Sequence, residues 1–447
     1  MKIAVAGTGY VGLVTGVVLA EIGHNVTCVD VDEKKIKIMK SGKSPIYEEG
    51  LEELMLKNKK RLTYTTDYVN AYKDADVIFV GVGTPEREDG SANLDYVYSV
   101  CSQIASSVEK DTVVVIKSTV PIGTNDKIEN YLRENVVNNI HLYVVSNPEF
   151  LAQGTAVRDT LYASRIVVGV EDKVASELME KLYKPLTKEP YNVPYLVMNR
   201  QSAEMVKYAS NDFLALKISY INEISNFCEK VGADINDVTL GMSKDSRIGD
   251  KFLNSGIGYG GSCFPKDTKA LHWLSREVNT EIKTIKACIE VNKNQKIMLF
   301  NKLKRDYCNL KGLNVAVLGC SFKPGTDDLR EAPSIENVKL LLEYGCNINV
   351  YDPLDLSLNA FKKIFLDKIK YYNNIDDCIK NVDVVLIMTE HKAIKEYDLN
   401  NYVKYMNKPV IYDGRNCYKL DDVRKHNIKY VSMGRVIVNN LEEINNG

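Results

Sequence analysis

The chain has 447 residues, 45% hydrophobic and 26% charged, with 58 Lys+Arg against 59 Asp+Glu. This length and composition suit two or three globular domains and exclude collagen-like or wholly disordered chains. A net charge of −1 argues against a general nucleic-acid binder. No apolar run reaches the ~18 residues of a membrane span without a glycine or a charge.

The first segment, Met1-Lys2 followed by IAVAGTGYVGLVTGVVLA, has the outline of a signal peptide. Its glycines fit another pattern better. Gly7-x-Gly9-x-x-Gly12 follows an apolar strand and opens an apolar helix, the arrangement of a dinucleotide-binding turn. The first glycine permits the turn, the second lets a pyrophosphate approach the backbone, and the third allows close helix packing. The next strand, Asn25–Val29, leads into Asp30. A carboxylate there accepts from both ribose hydroxyls of NAD and repels the 2′-phosphate of NADP, so the expected cofactor is NAD.

Further strands are predicted at Lys2–Ala6, Val77–Val82, Thr112–Lys117, Leu142–Ser146, Arg165–Val170 and Tyr195–Met198, with amphipathic helices between most of them. Three loops follow strands of this set: Gly81–Pro85, Ser118–Pro121 and Asn147–Phe150. Ligands of open α/β sheets bind beyond such strand ends, although any one loop by itself reads first as an ordinary turn. Glu149 stands out as a carboxylate placed to act as a base. From about Arg200 to Gly232 the apolar spacing predicts one long helix connecting two domains. On it Lys207 and Asn211 lie four residues apart and share a face; they read either as a solvated face or as a pair stabilising an oxyanion. Phe213, Leu214, Leu216 and Ile218 read as packing residues.

The stretch Gly256–Asp267, GIGYGGSCFPKD, is the most specific. Its glycines permit close approach to a ligand, and Pro265 suits a helix start. Cys263 then lies at a helix N-terminus beside Lys266, where a thiolate is favoured, with Asp267 four residues on. Cys263 reads as a nucleophile, and the other nine cysteines as free, mostly buried structural thiols of a reducing, cytoplasmic compartment. No cysteine or histidine cluster has metal-ligand spacing, so no metal is expected. From Leu313 onward NVAVLG, NINVYDP, VDVVLIMTE and PVIYDGRN predict a second doubly wound sheet. The expected fold is α/β: two Rossmann-like domains, 1–199 and 301–447, joined by a central helical region, 200–300.

GTGYVG, KSTVPIGT, NPEFLAQG, AEMVKYASNDFLALKISYINE, SRIGDKFLNSGIGYGGSCFPKD, FKPGTDDLRE and YDGRN occur in this order along nearly the whole chain. In this the sequence resembles the UDP-glucose/GDP-mannose dehydrogenase family, and its UDP-glucose branch most. The resemblance implies oxidation of a sugar C6 alcohol to a carboxylate with two NAD, through a covalent cysteine adduct. It makes Cys263 the nucleophile and gives Lys207 and Asn211 the oxyanions, with Lys207 also in proton transfer. Asp267 attends the water, Glu149 serves as base in thioester hydrolysis, and Thr119 holds that water. Cofactor contacts implied are Gly7, Gly9, Tyr10, Val11, Gly12, Asp30, Lys35, Thr84, Thr119, Lys266 and Arg330.

Implied sugar-nucleotide contacts from the first part of the chain are Glu149, Phe150, Gln153, Lys207 and Asn211. From the second part they are Phe252, Asn254, Tyr259, Gly260, Phe322, Lys323 and Arg415, with Arg247 reaching into a neighbouring subunit. Gln153 stands where the family usually has Glu, which keeps hydrogen bonding but loses a charge. Asn254 stands where some members have lysine. The implied partners are a nucleotide sugar and a second copy of the chain, with neither nucleic acid nor membrane. Alternatives are a GDP-mannose or UDP-N-acetylhexosamine 6-dehydrogenase, or a catalytically silent nucleotide-sugar or NAD-binding protein. Cys263, Lys207, Asn211 and Asp267 together argue against the silent form.

Overall fold

The computed structural model describes residues 1–441 and divides into two compact units. The first comprises Met1–Ser210 with Arg276–Val278; the second comprises Asn211–Ser275 and the chain from Asn279. The division falls within a 32-residue helix, Arg200–Val231. No glycine or proline interrupts that helix, and Gly232 follows it at φ +78°.

Unit 1 contains eight strands: β1 Lys2–Ala6, β2 Asn25–Val29, β3 Leu62–Thr65, β4 Val77–Val80, β5 Thr112–Ile116, β6 Leu142–Ser146, β7 Ile166–Gly169 and β8 Tyr195–Met198. They form one sheet in the order β3-β2-β1-β4-β5-β6-β7-β8, parallel except where β7 runs against β6. The central strands KIAVA, VIFV and TVVVI are near-continuous apolar runs because helices cover both faces of a parallel sheet. The first helix, Tyr10–Glu21, is likewise apolar all round, with every residue from Gly12 to Ala20 buried. Its resemblance to a signal peptide therefore comes from complete burial in this unit.

Unit 2 repeats the plan. Its strands are β9 Asn314–Leu318, β10 Asn347–Tyr351, β11 Lys370–Tyr372, β12 Val384–Ile387, β13 Val410–Asp413, β14 Lys429–Val431 and β15 Val438–Asn439. The order β11-β10-β9-β12-β13-β14-β15 repeats, strand for strand, the first seven positions of unit 1, with the seventh strand antiparallel in both. Both sheets thus reverse direction beside their first strand, and such a switch point opens a crevice at the strand ends. Among the described residues no helix is long and apolar enough to cross a membrane.

Candidate active site

The cofactor turn sits at the switch point between β1 and β4. Gly7 has φ +89°, and a Cβ on Gly12 would lie 1.9 Å from the Gly7 carbonyl oxygen. Only glycine allows the helix to start this close to the turn. A Cβ on Gly9 would meet nothing, which leaves that backbone open to a ligand at the helix N-terminus. Asp30 lies just beyond β2, where it accepts from the Thr8 backbone N–H at 2.8 Å, the Thr8 hydroxyl at 2.5 Å and the Asp32 N–H at 3.0 Å. Burial opposes ionisation of Asp30, but these bonds and the Lys35 ammonium at 3.9 Å outweigh it and hold the carboxyl below its usual range. The open Gly9 backbone and the ionised Asp30 fit NAD, with Tyr10 and Val11 beginning the helix behind them. The Thr84 hydroxyl donates to the Thr119 carbonyl at 2.8 Å, tying together two loops that follow the sheet. Asp30→Ala is expected to raise the Michaelis constant for NAD about tenfold or more and to narrow the preference over NADP. Initial rates with both cofactors test this, and equal efficiency of the wild type with NADP would contradict it.

A second cluster in unit 1 surrounds Glu149, which follows β6. Lys207 donates to Glu149 Oε1 at 2.8 Å, and the Leu151 N–H donates to Oε2 at 2.8 Å. Both side chains are buried, Lys207 at 4% exposure and Glu149 at 7%, so the solvated-face reading of Lys207 does not hold. Phe150 lies beneath two cations, with the Arg165 guanidinium 3.9 Å and the Lys207 ammonium 5.6 Å from its ring centre. Half-buried Gln153 belongs to a segment fixed by Glu48, whose carboxylate accepts from the Gly154 and Ala156 N–H groups at 2.9 and 2.6 Å.

Unit 2 carries Cys263, the expected nucleophile. The helix Phe264–Glu277 begins one residue before Pro265, and the Asp267 N–H donates to the Cys263 carbonyl at 2.8 Å. Cys263 is therefore the residue that caps this helix, and its side chain is exposed. Asp267 is 1% exposed and accepts from Asn211 Nδ2 at 2.6 Å on one oxygen and Lys266 Nζ at 2.5 Å on the other. Asn211 is buried too. The glycine-rich loop before Cys263 is held from two helices. Asn222 accepts from the Gly256 N–H at 2.8 Å, Gln295 donates to the Gly256 carbonyl at 2.6 Å, and Asn292 bonds both backbone groups of Tyr259. A Cβ on Gly260 would lie 2.4 Å from the Glu331 carbonyl oxygen, so glycine alone fits there.

The expected sugar-nucleotide residues of unit 2 gather around this loop unevenly. Arg415 donates to the carbonyls of Met388, Gly258 and Phe322 at 2.9, 3.3 and 3.2 Å, bridging the loop to the second sheet. Lys323 lies 5.6 Å from the Phe322 ring centre. Phe252 adopts φ +64°, rare for an aromatic residue, and sits 6.1 Å from the Phe264 ring, while Tyr259 meets Phe264 edge-on. Asn254 is exposed. The side chains of Arg247 and Arg330 stand largely in solvent, each forked onto an aspartate two residues before it, Asp245 and Asp328.

One expectation needs correction. Phe213 is 61% exposed instead of packed, because its face of the long helix is not covered within the chain. The nine other cysteines are free thiols and mostly buried, as expected, with Cys308 exposed and Cys417 half-buried. One residue with a strongly altered environment escaped the sequence reading. Lys117, the residue after β5, donates to Asn147 Oδ1 at 3.2 Å. Burial lowers its ammonium to about 8, with the Glu149 charge opposing the fall and Lys207 adding to it. A lysine ending an apolar strand gives no periodic signal, although its place in KSTVPIGT marks the loop.

Two dinucleotide-type folds, one with an NAD-fitting turn and the other carrying an exposed cysteine beside a buried aspartate paired with a partly buried lysine, define a nucleotide-linked dehydrogenase with covalent capability. Family models for UDP-glucose/GDP-mannose dehydrogenases match three segments: the NAD binding domain over residues 1–187, the central domain over 201–294 and the UDP binding domain over 316–420. The chain belongs to this family. It is 48% identical over 440 residues to the UDP-glucose 6-dehydrogenase YwqF of Bacillus subtilis (strain 168), covering 98% of each chain. A UDP-glucose 6-dehydrogenase of Rhizobium meliloti (strain 1021) is 42% identical over 97% of this chain and 100% of its own. A solved UDP-glucose dehydrogenase from Pyrobaculum islandicum superposes with a TM-score of 0.90 at 34% identity, covering 97% of this chain and 98% of that one.

Proposed function

We propose that the protein is a UDP-glucose 6-dehydrogenase, which oxidises the C6 alcohol of UDP-glucose to the carboxylate of UDP-glucuronate. The observation that carries this reading is full-length similarity to proteins of that name. NAD, when bound, takes the hydride leaving C6 in each of two oxidations. Residues 1–199 hold it, with Asp30 on the ribose hydroxyls and the Gly9 backbone at the pyrophosphate. Residues 301–447, with Arg415 and Lys323, supply cations for the UDP pyrophosphate. Residues 200–300 form the helical dimerisation region.

The chemistry follows from the two clusters. Cys263 as thiolate adds to the aldehyde of the first oxidation and forms a C–S bond; the resulting thiohemiacetal becomes a thioester in the second. Lys207 and Asn211 donate to the oxyanions that build at C6 in these steps. Glu149 takes a proton from the water that cleaves the thioester and returns the thiol, while Thr119 and Asp267 position that water. Initial rates at the NADH absorbance band with UDP-glucose, GDP-mannose and UDP-N-acetylmannosamine test the reading. UDP-glucose should be the best substrate by more than tenfold in kcat/KM, and preference for another sugar nucleotide would overturn it.

The protein acts as a homodimer or a higher homo-oligomer in this reading. Phe213, Tyr220 and Phe227 repeat every seven residues on the long helix, at 61%, 51% and 63% exposure. Such an apolar stripe suits packing against a second copy of the same helix. Phe213→Glu combined with Phe227→Glu should convert a dimer into a monomer by sedimentation, and a fully active wild-type monomer would contradict it. Arg247→Ala should raise the Michaelis constant for UDP-glucose if its exposed guanidinium completes the partner's site. All ten cysteines are free thiols, seven of them buried, which supports a cytoplasmic location.

A further inference from the structure

One buried charge in unit 2 has no part in the chemistry above. Asp212 follows Asn211 on the long helix, is 1% exposed, and neither of its carboxyl oxygens has a hydrogen-bond partner. An isolated buried carboxylate is costly, so a carboxyl in this position carries its proton or loses stability. Its surroundings are polar, but none of their donors reaches it. On the neighbouring elements stand Asp267 and Lys266 of the cysteine helix, Tyr259 of the glycine-rich loop, and Cys288 of the helix Lys283–Lys296, each coupled electrostatically to Asp212. The Tyr259 hydroxyl lies 3.5 Å from Cys288 Sγ, and the Ser219 hydroxyl, two turns along the long helix, lies 3.3 Å from the same sulfur. These groups already satisfy one another. Asp212 is left out of the network.

The asymmetry between the two carboxyls decides where a proton rests. Asp267 receives a cation on one oxygen and an amide N–H on the other; Asp212 receives nothing. Two carboxyls in one dry site do not both ionise readily, and the proton stays on the one without donors. We propose that Asp212 is a positioning residue of this site: it holds a proton beside Asp267, and so leaves the Asp267 carboxyl fixed between Lys266 and Asn211. The inference rests on the catalytic reading for its effect on rate, but its protonation state does not depend on that reading. Burial, with the Asp267 charge adding to it and Lys266 opposing, raises the Asp212 carboxyl to about 8.

Two consequences follow. Above pH 8 a second negative charge arises beside Asp267, where oxyanions must build, so kcat falls. Stability changes with pH in a definite direction as well. The folded state keeps a proton that the unfolded chain releases, so stability declines as pH rises from the ordinary carboxylate range to about 8 and then levels. Asp212→Asn fixes the neutral state without changing shape.

The experiment uses the full-length protein and its Asp212→Asn and Asp212→Ala variants, with infrared difference spectra of wild type minus variant at pH 6 and pH 10. A protonated-carboxyl band present at pH 6 and absent at pH 10 is expected. With UDP-glucose and NAD, the fall in kcat from pH 7 to pH 9 should be about tenfold steeper in the wild type, from one ionisation near 8. The melting temperature of Asp212→Asn should exceed that of the wild type at pH 8 and match it near pH 4. A missing band at pH 6, or an unchanged alkaline limb in whichever variant folds, overturns the proposal. Because the band needs no turnover, it distinguishes failure here from an error in the assigned substrate.

Discussion

Cys263→Ala is expected to abolish formation of the acid, lowering its rate by at least about a thousandfold. Cys263 caps the helix Phe264–Glu277 through its carbonyl oxygen, which accepts from the Asp267 N–H, and its exposed side chain takes no part in that contact. Alanine therefore leaves the loop in place, because Asn222, Asn292 and Gln295 hold it through backbone atoms. Binding of UDP-glucose and NAD should survive within a few-fold by calorimetry. Without a thiol the aldehyde has no covalent anchor and cannot be oxidised again as a thiohemiacetal. At most one NADH should appear per sugar. Acid made at a tenth of the wild-type rate or faster would show that this sulfur is not the nucleophile.

Lys207→Met should lower kcat by about 10²–10³-fold, the usual cost of a missing oxyanion donor. It should also destabilise the protein by about 3–5 kcal/mol, because the buried Glu149 carboxylate loses its ion-pair partner. The two effects can be separated. Adding Glu149→Gln removes the stranded charge, so the double variant should regain most of the stability while staying inactive. Denaturant unfolding and initial rates on the single and double variants measure both terms. A single variant with more than a tenth of the wild-type kcat would remove Lys207 from the chemistry.

Much of the fold was legible because buried parallel strands are nearly pure apolar runs. Lys2–Ala6, Asn25–Val29, Leu142–Ser146 and Tyr195–Met198 form at their predicted bounds. Leu62–Thr65 was missed since LTYT is a short edge strand with a largely polar, half-exposed pattern. Its length and composition match those of a loop. The reversal of β7 against β6 is equally silent, because strand direction leaves no mark on apolar periodicity. The site was legible where spacing constrains geometry: Lys207 and Asn211, one turn apart, are both buried and both engage carboxylates. Asp212 and Lys117 were not, because what distinguishes them is lost hydration and neighbouring charge. Those neighbours come from distant parts of the chain.

The proposed chemistry is a four-electron oxidation of one carbon, and counting electrons tests it. Wild-type protein should be given limiting UDP-glucose with excess NAD, the NADH read by absorbance and the sugar product by chromatography. Two NADH are expected for each UDP-glucuronate, with no free aldehyde accumulating. One NADH per sugar, with the aldehyde as the product, would contradict it.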